Sequence, residues 1–108
     1  TGIMPNNMLG EKHLNVNGFH SWQSKQRIPS NICPTLIIDK NNSPTTLGSA
    51  GSSRIISATL SVINNLISGK MSLKESISRP RVHLEGDILH CEPNTNQAQY
   101  KTKNVVYY

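Results

Sequence analysis

Between residues 45 and 67 the chain changes its hydrophobic period, and that switch limits the folds open to it. Thr45-Thr46-Leu47 reads as a strand and runs into the small-residue stretch Gly48-Ser49-Ala50-Gly51-Ser52-Ser53. From about Ser53 the apolar positions recur at helical spacing: Ile56, Leu60, Ile63 and Ile67 fall at i, i+4, i+7 and i+11, with Ile55, Val62 and Leu66 widening the stripe. The pattern predicts a helix ending near Gly69. A strand feeding through small residues into a long helix excludes an all-β or all-α chain.

The flanking segments extend this reading. Thr35-Leu36-Ile37-Ile38-Asp39 is strand-like, and Lys40-Asn41-Asn42-Ser43-Pro44 has turn chemistry, so residues 35–47 are expected to form a hairpin. Ser72-Leu73-Lys74-Glu75 has the capping-box pattern of a second, short helix, which Pro80 stops. Arg81–Glu85 and Ile88–Glu92 alternate across Gly86-Asp87 as a second hairpin. Residues 93–103 are polar and expected to be mobile, and Asn104–Tyr108 opens another strand. Residues 1–34 are rich in Asn, Gly, Ser and Pro; they read as one short strand, Gly2–Asn6, and a long irregular segment of the kind that carries function. The fold class expected is α+β, or a layered α/β/β/α arrangement.

Such elements need more apolar material than the chain holds. Hydrophobic residues make up 35% and aromatics 5%, with Trp22 and Phe19 the single examples of their kinds. That is thin for a self-sufficient core, so the chain reads as a fragment or subunit whose partner supplies the missing surface. The net charge of +5 comes from eleven basic against six acidic residues spread along the sequence. No basic run and few aromatics argue against a nucleic-acid partner, although a non-catalytic basic binding module stands as the alternative function. Cys33 and Cys91 are too few for a disulfide framework, and no cysteine or histidine spacing fits a metal site. No apolar run approaches the ~20 residues that span a bilayer.

Three segments could carry chemistry. The Gly48–Ser53 turn is either a plain small-residue link or a cradle in which helix N-terminal amides hold an oxyanion or carboxylate. Ser30 and Asn31 lie between Pro29 and Pro34, where they either bond their own backbone or hold a substrate carboxylate. An N-terminal threonine such as Thr1 can act as a nucleophile with its own amine as base, but only its position supports that here. His13, His20, His83 and His90 read as ordinary surface or strand residues, and Asn41-Asn42-Ser43 matches a glycosylation triplet that is common by chance.

Taken in order, TGIMPNNMLGEK, QRIPSNICPT, LGSAGSSRI and SRPRVHLEGDILHCEP resemble the small, catalytic subunit of gamma-glutamyltranspeptidases over residues 1–92. The similarity is greatest to a bacterial and archaeal branch carrying NNMLGE and GS-G-S-RI. The resemblance implies a fragment, residues 1–108, of an N-terminal nucleophile hydrolase with an αββα sandwich, completed by segments outside this chain. It implies a precursor that cleaves itself, a large subunit or remainder of the precursor as partner, a small-molecule γ-glutamyl substrate, and no metal or organic cofactor. Thr1 matches a stretch about thirty residues downstream of the family's nucleophilic threonine, so the nucleophile is expected upstream. Glu11 stands where the family binds the substrate α-ammonium, and Ser30 and Asn31 where a residue pair holds the α-carboxylate. Gly51 and Ser52 match the paired glycines of the oxyanion hole. Met8 departs from the pattern, because many members place Gln or Glu there and a thioether accepts hydrogen bonds poorly. A related acylase acting on another amide is therefore the alternative enzyme.

Overall fold

A computed structural model describes residues 2–4, 7–96, 99–100 and 104–108. Thr1 lies outside the described residues, as do Pro5 and Asn6 of the expected first strand and 97, 98 and 101–103 of the expected mobile segment. The described part of that first strand is not one: Gly2, Ile3 and Met4 join no sheet, and Gly2 has φ +66°. Ile3 and Met4 are 79% and 94% exposed. A strand needs a neighbour to pair with, and among the described residues none lies beside this segment. The rest of the first third is irregular, as expected, apart from two 3₁₀ turns at Met8–Gly10 and Lys12–Leu14.

Strands β1 (Thr35–Ile38) and β2 (Pro44–Leu47) form the first hairpin, with Thr35 opposite Leu47 and Ile38 opposite Pro44. The Asp39 carboxylate oxygen Oδ1 accepts from the Asn41 and Ser43 amides, each at 2.8 Å, and so folds the turn. Pro44 belongs to the strand rather than the turn. As the first residue of an outer strand it owes no ladder hydrogen bond.

Helix α1 spans Arg54–Ile67, close to the expected bounds, and Gly69 donates its amide to the Asn64 carbonyl just beyond the end. Ile55, Thr59 and Val62 are buried, whereas Ile56, Leu60 and Ile67 are 45%, 58% and 63% exposed. Both sides of α1 are apolar, so the period marks a helix without choosing its inner face. The Ile55 side packs toward α2 and β3 within this chain. Helix α2 (Leu73–Ser78) carries the full capping box: the Ser72 hydroxyl accepts from the Glu75 amide at 3.3 Å, and the Ser72 amide donates to Glu75 Oε2 at 2.9 Å. Hydrogen bonds from the Ser72 side chain and then its backbone hold the Glu75 carboxyl below its ordinary range.

The second sheet contains β3 (Val82–Glu85), β4 (Ile88–Cys91) and β5 (Val105–Tyr107) in that order. β3 and β4 are an antiparallel hairpin, and Gly86 at its turn takes φ +58°, where a side chain would be strained. β5 lies parallel to β4, with Leu89 opposite Val105. Among the described residues the architecture is α+β: two small sheets with two helices. Ile55, Val62, Leu89 and Cys91 are the buried apolar residues among those described.

Candidate active site

Order in the irregular first third radiates from Asn15, which is 6% exposed. Its amide nitrogen reaches the carbonyls of Met8 (3.3 Å), Leu9 (3.1 Å) and Glu11 (2.7 Å). Its Oδ1 accepts from the Trp22 indole nitrogen. One buried carboxamide thus gathers both 3₁₀ turns and fixes the backbone on which Glu11 stands.

The Gly48–Ser53 segment leads directly from β2 into α1. Gly51 has φ +126°, open only to glycine without strain, and Ser52 has φ +57°, unusual for a residue with a side chain. The Gly51 and Ser52 carbonyls accept the Arg54 and Ile55 amides at 3.1 and 3.2 Å. Their own amides donate to nothing among the described residues, and both residues are exposed. Two free backbone donors beside a helix N-terminus can receive a negatively charged oxygen.

Side chains from three separate segments meet next to this turn. The Ser52 hydroxyl donates to Glu11 Oε2 at 2.5 Å. His13 Nδ1 lies 3.8 Å from the same oxygen. On the far edge of the imidazole, Nε2 contacts the Asn31 amide nitrogen. Asn31 is 6% exposed. The resulting chain, Ser52–Glu11–His13–Asn31, brings together three of the five residues singled out from the sequence. Both contacts to Glu11 fall on Oε2, and Oε1 has no partner among the described residues.

Ser30 is placed differently. It is exposed, and its hydroxyl oxygen accepts from the Ile32 amide at 3.1 Å, the local backbone bond open to such a residue. Its hydroxyl hydrogen remains free to donate. His13 was not among the residues singled out. Its position two residues after Glu11 was the available signal, and only the loop folded by Asn15 and Trp22 makes that spacing meaningful.

Two clefts flank the cluster. One, of about 300 Å³, includes His13, Asn15, Trp22, Gln26 and Pro29. The other, of about 190 Å³, includes Gly51, Arg54, Ser57, Arg81, His83 and Tyr108. At the second, the Arg54 guanidinium sits 5.1 Å from the centre of the Tyr108 ring, within cation–π range. Arg81 is engaged by Glu92, with Nη2 at 2.7 Å and Nε at 2.9 Å from Oε1. Burial alone would raise the Glu92 carboxyl, but hydrogen bonds from the Arg81 side chain and amide, and its charge, hold it below the ordinary range; the same pairing raises Arg81. Among the described residues no group of three His, Cys, Asp or Glu could hold a metal ion. No described helix is long and apolar enough to cross a membrane.

An α+β framework in which a strand-to-helix turn bears free amides beside a carboxylate suits the acyl-transfer hydrolases. The comparisons with known proteins narrow this. Residues 1–103 match the gamma-glutamyltranspeptidase family, and the chain belongs to that family. It is 30% identical over 92 residues to the acylase ACY 1 proenzyme of Pseudomonas sp. (strain V22), covering 85% of this chain and 16% of that protein. It is 32% identical over 93 residues to a glutathione hydrolase proenzyme of Arthroderma benhamiae, covering 77% and 16% respectively. The fold superimposes on a Helicobacter pylori gamma-glutamyltranspeptidase variant with a TM-score of 0.67 and 32% identity, over 81% of this chain and 51% of that one. The two sheets and two helices are accordingly part of the αββα sandwich of N-terminal nucleophile hydrolases. The chain spans about one sixth of the length of the curated relatives it matches.

Proposed function

We propose that this chain supplies the substrate-holding and oxyanion-stabilising part of an enzyme that cleaves or transfers γ-glutamyl groups from glutathione and related amides. The observation that carries the reading is the convergence of Glu11, Asn31 and Ser52 through side-chain contacts, although 41 positions separate Glu11 from Ser52 in sequence. In this reaction a threonine hydroxyl, contributed from upstream of this chain, attacks the γ-amide carbonyl. The carbonyl oxygen takes up the electron pair and is met by the Gly51 and Ser52 amides. Collapse of that adduct expels the amine, which leaves with a proton, and water or a second amine then takes the acyl group from the threonine. Glu11 Oε1 is open to the α-ammonium, while the Ser30 hydroxyl and the Asn31 carboxamide are the donors for the α-carboxylate.

The test is turnover of a γ-glutamyl anilide by the full-length protein. Ammonium and carboxylate carry the same charges in ground and transition states, so their ligands act on KM more than on kcat. Glu11→Ala, and Ser30→Ala combined with Asn31→Ala, are each expected to raise KM at least tenfold. Unchanged kinetics would remove these roles. A second reading, a related acylase acting on a different amide, is favoured by Met8, whose thioether is a poor acceptor for an α-ammonium. Faster turnover of an acyl anilide lacking that ammonium would select it.

A further inference from the structure

We infer that His13 is a positioning residue that joins the ammonium-reading Glu11 to the carboxylate-reading Asn31 as one unit. The inference rests on the γ-glutamyl reading of those two residues and adds a third that touches neither end of the substrate. An amide nitrogen can only donate, so the imidazole nitrogen facing Asn31 Nδ2 carries the lone pair. The ring proton then sits on Nδ1, and Nδ1 is the atom 3.8 Å from Glu11 Oε2. The imidazole therefore presents an acceptor edge to Asn31 and turns its other nitrogen toward the Glu11 carboxylate, at 3.8 Å an electrostatic contact longer than a hydrogen bond.

The geometry gives this link something to do. Glu11 is long and stands on an irregular turn, and an unrestrained carboxylate there would lose rotamer freedom each time it met a ligand. With Ser52 and His13 both at Oε2, that freedom is surrendered before substrate arrives, and Oε1 is left open. On the other side, Asn31 is buried and has its amide nitrogen oriented by the same ring. The spacing between the positive-end and negative-end ligands is thus fixed through one side chain.

Steady-state kinetics of the full-length protein on a γ-glutamyl anilide test this with five variants. His13→Phe keeps the ring and removes both nitrogens; KM is expected to rise about tenfold, with kcat within about twofold. His13→Gln retains a carbonyl for Asn31 and an amide for Glu11, and is expected to recover KM to within about threefold of the parent. In a Glu11→Ala/Asn31→Ala background, adding His13→Phe should change KM by less than about twofold, because its targets are gone. An unchanged KM in His13→Phe, or an equal rise in the doubly substituted background, would overturn the positioning role. Glu11→Ala alone separates the two failures: if it leaves KM unaltered, the γ-glutamyl reading of Glu11 falls and takes this inference with it. If it raises KM while His13→Phe does not, only the His13 link falls. Nitrogen-15 spectra of the histidine-labelled parent give a reading independent of any variant's folding. A proton on Nδ1 of His13 is expected, and one on Nε2 would overturn the proposed orientation.

Discussion

On the proposed reading, the adjacent residues Gly51 and Ser52 contribute through different atoms, and substitutions can tell them apart. Gly51 stands at φ +126°, where an added Cβ meets only the Arg54 Cβ at an ordinary 4.0 Å, so a larger residue there is opposed by backbone strain and not by crowding. Gly51→Ala is expected to rotate the turn away from this angle, displace the amide and lower kcat by about 10²-fold, the effect of losing one oxyanion donor, with little change in KM. Ser52→Gly keeps an amide at that position but cuts the hydroxyl contact to Glu11 Oε2, so its signature is a raised KM. Rate measurements at saturating and limiting γ-glutamyl anilide distinguish the two; a KM effect for Gly51→Ala and none for Ser52→Gly would reverse the assignment. The residues of this turn were legible in the sequence because small residues between a strand and a helix leave a local mark. His13 was not, because its partners lie two residues before it and 18 after it, and only the folded loop closes that gap.

Among the elements, those specified by neighbours in sequence were readable, and those specified by distant partners were not. The capping box at Ser72 and Glu75 and the Gly86-Asp87 hairpin need only residues a few positions apart, and both are present. The expected strand at Gly2–Asn6 fails over its described part because β-propensity cannot supply a pairing partner. The covered face of α1 was not legible for a related reason: two apolar stripes share one helix, and only tertiary contacts decide between them. The second hairpin is tied at its open end by a longer-range contact whose pH dependence can be stated. Arg81 donates from its side chain to Glu92 Oε1 and from its amide to Oε2, at 2.9 and 3.0 Å. Because the folded carboxyl is held below its ordinary value of 4.5, its contribution to stability is fully present above that pH and is lost as pH falls through the lower folded value. Glu92→Gln should therefore lower Tm by a few degrees at pH 7, as befits a partly exposed pair, and leave the acid side of the Tm profile flatter below about pH 4.5. A variant profile parallel to the parent's through that range would show that the pair does not contribute in this way.

For the molecule as a whole, the burial pattern fixes what the chain requires around it. Its radius of gyration is 17.0 Å, against roughly 13 Å for a compact domain of about 100 residues. Ile56, Leu60 and Ile67 on α1 and Leu36 and Ile38 on β1 are all more than 40% exposed. Covering one such side chain gains ~1.5–3 kcal/mol, so leaving all of them in water removes a large share of what a small fold can gather. The chain spans 16% of the proenzymes it resembles, and the remainder of such a precursor is the surface expected to cover them. Produced alone, the 108-residue chain should bind the dye ANS and melt without a sharp transition; joined to the rest of its precursor it should do neither. Leu60→Glu makes the expectation specific, since Leu60 is 58% exposed in this chain. In the isolated chain the substitution removes exposed apolar area and should reduce ANS binding without loss of helical circular dichroism. In the full-length protein the same carboxylate would be taken out of water with no partner, so Tm should fall by well over 4 °C and assembly with the remaining segments should weaken. Equal, small effects in both settings would mean that the outer stripe of α1 faces solvent in the complete enzyme, and that the αββα sandwich is closed by some other face.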